Sequence, residues 1–141
     1  MDLWNNSVLN ANNFTLFVEG YLFNAVATNL MVGLSDTSAT GARANDIGFF
    51  EGIRATFTNA SAVSSFSTNL ANNSAYKFAI QRSGTTVKFY LNGFQIWTTQ
   101  TVPVVDYRYL VVNNGGSTFA VDKIALFNRT LTDVECQTLT T

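Results

Sequence analysis

The sequence predicts an all-β fold. Three observations carry this: runs of β-branched and aromatic residues, apolar alternation within the runs, and turn residues at regular intervals between them. In chain order the expected strands are Phe14 to Phe23, Leu30 to Leu34, Ile47 to Thr58, Ala75 to Arg82, Thr86 to Asn92, Phe94 to Thr99, Tyr107 to Val112 and Phe119 to Phe127. Weaker candidates are Ser7 to Leu9 and Val63 to Phe66. The connectors are rich in Asn, Ser, Thr and Gly, which bond their own backbone or tolerate positive φ. With no linker and no repeat, residues 1–141 are expected to form one domain.

The stretch 75–99 is the most informative. Asn92-Gly93 between apolar runs marks a two-residue hairpin, because a type I′ turn needs φ > 0 at both central positions. That turn would pair Leu91 with Phe94, Phe89 with Ile96 and Val87 with Thr98. A two-residue turn at Ser83-Gly84 would pair Ile80 with Val87, Phe78 with Phe89 and Tyr76 with Leu91, and a four-residue loop keeps the same parity. Three consecutive strands thus agree on one apolar face, the core face of an antiparallel meander.

The opposite face carries Lys77, Ala79, Gln81, Lys88, Tyr90, Gln95 and Trp97, with Trp97 expected opposite Lys88. A flat aromatic among hydrogen-bonding groups suits sugar recognition: pyranose C–H faces stack on the ring, and hydroxyls need donors and acceptors. Lys88, Tyr90, Gln95 and Trp97 are therefore the candidate ligand-binding residues. The competing reading is that Trp97 is covered by a loop or caps the edge of a second layer.

At the C-terminal end, Val121 to Arg129 reads as a buried strand leaving its sheet. Thr132 followed three residues later by Glu135 is a capping-box pattern, so a short helical turn is expected there. Its expected role is to seal one end of the fold with Leu131 and Val134.

Composition removes several function classes. The chain has no histidine, so no Ser–His or Cys–His pair and no His-ligated zinc site can form within it. Cys136 is the single cysteine and reads as an inert, buried or semi-buried thiol rather than a reactive one, because its neighbours Asp133 and Glu135 are acidic. Net charge is −1 and the basic residues are scattered singly, which argues against nucleic acid as a partner. No apolar stretch approaches a membrane span. The first residues lack the basic and apolar regions of a signal peptide. Charged residues make up only 12%, against roughly 25% in an average globular protein, and neutral Asn and Thr take their place.

The segment Val121-Asp122-Lys123-Ile124-Ala125-Leu126-Phe127-Asn128-Arg129-Thr130-Leu131-Thr132-Asp133-Val134-Glu135 resembles the closing motif of laminin-G-like domains of the concanavalin A-like lectin-glucanase superfamily. There, a strand ending in Asn-Arg runs into a one-turn helix that carries a Glu. Tyr90-Leu91-Asn92-Gly93 and the opening strand Phe14 to Gly20 agree with the same family in order, across roughly residues 14 to 136. The resemblance implies a two-sheet antiparallel jelly-roll sandwich with one short C-terminal helical turn. It also implies a lectin, adhesion module, carbohydrate-binding module or virion surface domain.

Within that superfamily the catalytic branches fit poorly. No run of alternating acids matches the glucanase pattern, and the lyases' histidine is missing. Glu19 and Glu51 would have to meet across strands to supply a carboxylate pair. No cofactor is expected. Calcium would fall to the loop acids Asp36, Asp46 and Asp106, which read more simply as solvated acids or Asx-turn formers. The expected function is a non-catalytic glycan-binding or adhesion module, recognising a cell-surface polysaccharide. A virion surface or other extracellular setting suits it, as in a bacteriophage tail fibre, spike or capsid decoration. The rival is a structural assembly protein, packed on other virion proteins or into a homo-oligomer through Trp97, Tyr90 and Tyr107.

Overall fold

The computed structural model describes residues 12–24, 30–36, 45–50, 54–59, 62–68, 70–103, 105–112 and 118–141. Among these described residues, eleven strands precede one helix. They are β1 (Asn13–Asn24), β2 (Leu30–Ser35), β3 (Asp46–Phe50), β4 (Arg54–Asn59), β5 (Ala62–Ser67), β6 (Ser74–Ser83), β7 (Thr86–Leu91), β8 (Phe94–Gln95), β9 (Gln100–Thr101), β10 (Tyr109–Val112) and β11 (Thr118–Phe127), followed by α1 (Asp133–Thr140). One sheet has the order β11-β1-β6-β7-β8, with β9 also pairing β7, and the other has the order β10-β2-β3-β4-β5. All pairs are antiparallel, and the chain passes repeatedly between the sheets, as in a jelly-roll sandwich. The expected all-β sandwich is what the chain forms.

The two sheets meet face to face through aromatic rings. Phe49 of β3 lies 4.1 Å from Phe78 of β6 and 6.2 Å from Phe89 of β7, centroid to centroid. Phe14, Leu16, Val18, Ile80, Val87 and Leu34 fill the same core. Alternation explains which residues enter it, since every second side chain of a strand faces the partner sheet. β1 is flanked by β11 and β6 and is buried on both faces, so Thr15 and Phe17 on its far face are covered as well.

Several boundaries differ from the sequence expectation. The run Ile47 to Thr58 is two strands, β3 and β4, paired with each other from Ile47–Phe57 to Phe50–Arg54. An unbroken β-rich run does not reveal its own reversal; the polar Glu51-Gly52 within it was the available signal. The β6–β7 turn centres on Gly84-Thr85, so Ile80 pairs with Phe89 and Phe78 with Leu91, two residues from the expected register. Parity is preserved, and so is the core face. Gly84 has φ +59°, the positive value that the first position of a type II′ turn requires. Asn92 (φ +47°) and Gly93 (φ +86°) form the expected I′-type turn with Leu91 opposite Phe94. The candidate strand Val63 to Phe66 is present as β5, whereas Ser7 to Leu9 lies outside the described residues.

The C-terminal segment is an eight-residue helix rather than a single turn. The capping box is present: the Glu135 amide donates to Thr132 Oγ1 and the Thr132 amide to Glu135 Oε2. α1 lies across the outer face of the first sheet rather than over an end of the sandwich. It buries Cys136 and the preceding Leu131 against Ala79 and Tyr90. Val134 is 70% exposed and seals nothing, contrary to expectation, because it points away from the sheet.

Candidate functional site

The four candidate residues do not form one patch. Lys88 and Tyr90 stand side by side on β7's outer face, and α1 covers them. Tyr90 is fully buried, and its hydroxyl donates to Asp133 Oδ1 at 2.8 Å. Lys88 Nζ sits 2.7 Å from Asp133 Oδ2. Gln81 completes the cluster, with Nε2 donating to the Leu131 carbonyl at 2.6 Å and to Asp133 Oδ1 at 3.0 Å. The Lys88, Gln81 and Tyr90 donors together hold the Asp133 carboxyl down at about 2. Burial, then the bond to Asp133, pushes the Tyr90 phenol well above its ordinary value. This cluster fastens the helix to the sheet. The sequence reading left the face open because a capping box shows where a helix starts, not where it lies.

Trp97 is on the other side of the sheet. The β7–β8 ladder runs only to Tyr90–Gln95, and pairing resumes at Val87–Gln100 through β9. Residues 96–99 therefore face just Lys88 and Phe89, and the excess leaves the ladder as a bulge. This cancels the expected Lys88–Trp97 pairing and carries the indole round to the core side. There it stacks against Phe57 of β4 (5.7 Å, 29°) and Phe66 of β5 (6.0 Å, 27°), and lies 5.6 Å from Phe89. Trp97 thus caps the edge between the layers and stays half-buried.

Beside the indole lies an open depression of about 530 Å³, lined by Phe66, Gln95, Ile96, Trp97 and Thr98. That is within the roughly 300–1,000 Å³ of small-molecule sites. Phe66 is 39% exposed and shares the aromatic floor. Exposed Gln95 donates through Nε2 to the Trp97 carbonyl at 2.6 Å, and Gln100 donates to the Thr98 carbonyl at 2.6 Å. Two of the four candidates, Trp97 and Gln95, thus share a cleft with Phe66, which the sequence reading did not single out. Phe66 lies on an edge strand contributed by the other sheet, so no register within the meander could place it there.

The remaining expectations concern acids and interface aromatics. Glu19 pairs with Lys77 at 4.0 Å, and Glu51 lies outside the described residues. Asp36 accepts from Asn45 Nδ2 at 2.7 Å, Asp46 is buried, and Asp106 is exposed. Among the described residues, no three Asp, Glu or Cys gather as a metal site. Tyr107 is fully buried, like Tyr90, so neither is available as an interface anchor. Tyr107 packs instead under Arg82, whose guanidinium lies 5.1 Å from the ring centre. Buried Arg82 also donates to the carbonyls of Gly84 and Val105, each at 2.9 Å, and of Pro103 at 3.3 Å. It ties the β6–β7 turn to the segment that crosses back to the second sheet. Among the described residues, no helix is long and apolar enough to cross a membrane.

No protein-family model and no curated protein matches this sequence. Solved structures do share its fold. The Ruminococcus gnavus IT-sialidase CBM40, a carbohydrate-binding module, superposes with a TM-score of 0.64 at 14% identity, over 96% of this chain and 86% of that one. Trypanosoma rangeli sialidase in complex with sialic acid gives 0.67 at 15% identity over 92% of this chain. This chain spans just under a quarter of the sialidase's length, 23%. The binding domain of botulinum neurotoxin DC, solved with rat synaptotagmin II, gives 0.60 at 15% identity, over 97% of this chain and 36% of that one. At such identities the likeness shows the fold: a β-sandwich also found in a carbohydrate-binding module and in a toxin's binding domain.

Proposed function

We propose that this chain is a non-catalytic carbohydrate-binding or adhesion module whose ligand seats on Trp97. One observation carries the reading: an indole stacked on Phe57 and Phe66 and tilted against Phe89 edges an open cleft whose polar groups are the amide of Gln95 and the hydroxyl of Thr98. The aromatic floor suits a pyranose face, and the amide and hydroxyl suit its hydroxyls. Of the four candidates, Trp97 and Gln95 take ligand contact. Lys88 and Tyr90 take the structural role of holding α1. The sialidase-linked carbohydrate-binding module supports the class through its shared fold. The laminin-G-like kinship, the organisation of residues 1–141 as one domain, and a setting on a virion surface or elsewhere outside the cell belong to the same reading. The charge-poor, Asn- and Thr-rich sequence supports that setting.

The test is a glycan array probed with the wild-type chain, Trp97→Ala and Gln95→Ala. Wild type should bind at least one glycan class. Trp97→Ala should weaken binding by at least about tenfold, with the far-UV circular dichroism of a folded β-protein retained. Gln95 is exposed and its Nε2 also holds the Trp97 carbonyl, so Gln95→Ala should likewise weaken binding, with the β-fold retained. Absence of any glycan binder would remove the proposal. A structural role in assembly is the second reading. The exposed Phe94 and Phe66 favour it, and sedimentation of the isolated chain would reveal the stable oligomer it requires.

A further inference from the structure

We infer that the ligand is a chain of neutral sugars lying across two adjoining subsites, the second built around Phe94. This rests on the carbohydrate reading above and adds the ligand's charge and its length. A second depression of about 450 Å³ adjoins the Trp97 cleft, and the two share Ile96. Leu70, Ser74, Leu91, Asn92 and Phe94 are among its walls. Phe94 pairs with Leu91 immediately after the Asn92-Gly93 turn. It is on the core-facing side of its strand, yet it is 74% exposed, so the second sheet leaves it uncovered. Phe66, Trp97, Ile96 and Phe94 thus form one continuous apolar strip broken by amides and hydroxyls. A contiguous strip of this kind marks an interaction site, whereas a lone exposed apolar residue does not.

The geometry sets the length. Phe94 and Trp97 are three positions apart, no more than about 10 Å at a strand's rise per residue, and each belongs to its own depression. One ring seated on Trp97 leaves Phe94 unused, while a linear chain running along β8 uses both. The lining sets the charge. Among the described residues lining either depression, none is charged. The polar groups on offer are the side chains of Gln95, Thr98, Ser74 and Asn92, which match hydroxyls. A sialic acid carboxylate placed here would find no cation among the described lining residues. The site is therefore suited to neutral glycans even though relatives in fold include a sialidase bound to sialic acid.

The experiment uses the full chain on an array holding sialylated glycans, their desialylated counterparts, and linear ladders of glucans, mannans, galactans and xylans. Titration calorimetry then follows on the ladder that binds. Desialylation should leave binding intact. Affinity should rise by roughly tenfold, about 1.4 kcal/mol, between the monosaccharide and the trisaccharide. Phe94→Ala should abolish that rise and leave thermal stability unchanged because the side chain is exposed. Binding lost on desialylation, affinity independent of chain length, or a Phe94→Ala variant that keeps the rise would each overturn the inference while leaving a carbohydrate module standing. No binding to any glycan overturns both. Sedimentation showing a dimer that Phe94→Ala dissolves, without glycan binding, would assign the strip to a second copy of the chain.

Discussion

At the scale of single residues, Asp133 joins helix to sheet, and its chemistry makes that joint pH-dependent. Its carboxyl is held at about 2 against an ordinary 3.8, foremost by the Lys88 ammonium, then by Gln81 and Tyr90. Glu135 is likewise held at about 2, foremost by Arg129, whose guanidinium meets the carboxylate through both terminal nitrogens. A lowered folded value means the ionised form stabilises the fold. The contribution is complete above the unfolded value near 4 and is lost as pH falls from there towards 2. The melting temperature of wild type should therefore drop between pH 4 and 2. That of Asp133→Asn should drop less, since the Asp133 contribution is gone from it; parallel curves would deny Asp133 the role. At neutral pH, Asp133→Ala leaves the buried Tyr90 hydroxyl without its acceptor, at a cost of about 1–3 kcal/mol by denaturant titration. Cys136 reports on the same joint. Burial, then the nearby acids, pushes its thiol up to about 12. A thiol reagent at pH 8 should leave the native protein unlabelled and label it fully in denaturant, so fast native labelling would mean that α1 lifts from the sheet.

At the scale of elements, helix and hairpins differ in how much of them was legible beforehand. The capping box was readable from Thr132 and Glu135 alone, because both partners lie within one turn. Thr132→Ala should cost about 1 kcal/mol. The Asn92-Gly93 turn was readable for the same local reason. The bulge at 96–99 was not: it accompanies the packing of Trp97 against Phe57 and Phe66, which come from the other sheet. Glycines divide in the same way. At Gly84 a Cβ would meet nothing, and only its positive φ resists substitution, so Gly84→Ala should cost about 1–2 kcal/mol. At Gly20 a Cβ would come 2.1 Å from the Ala120 carbonyl oxygen and 2.7 Å from the Tyr76 hydroxyl, where β1 and β11 shift register past Asp122. Gly20→Ala should cost at least about 3 kcal/mol or prevent β11 from docking. Equal midpoints for the two variants in a urea titration would contradict this ordering.

At the scale of the whole molecule, the sandwich separates two jobs that the sequence had placed on one surface. The outer face of the first sheet anchors a helix, while the open edge between the sheets presents aromatics to solvent. No described residue lining the cleft titrates near neutrality. Glycan binding should therefore stay level between pH 5 and 9, and a sharp change within that range would mean that an ionisable group enters the site.

The sequence by itself determined the strand character, the parity of the meander, the Asn92-Gly93 turn, the helix cap and the poor fit to the catalytic branches. Each of these depends on residue type or on neighbours a few positions apart. Only the tertiary structure decided what covers each face: α1 over Lys88 and Tyr90, Phe66 beside Trp97, and the burial of Tyr107 under Arg82. Those contacts join residues tens of positions apart, and no local period records them. The alternation of a strand gives it two faces, but which face meets water depends on where the rest of the chain comes to lie.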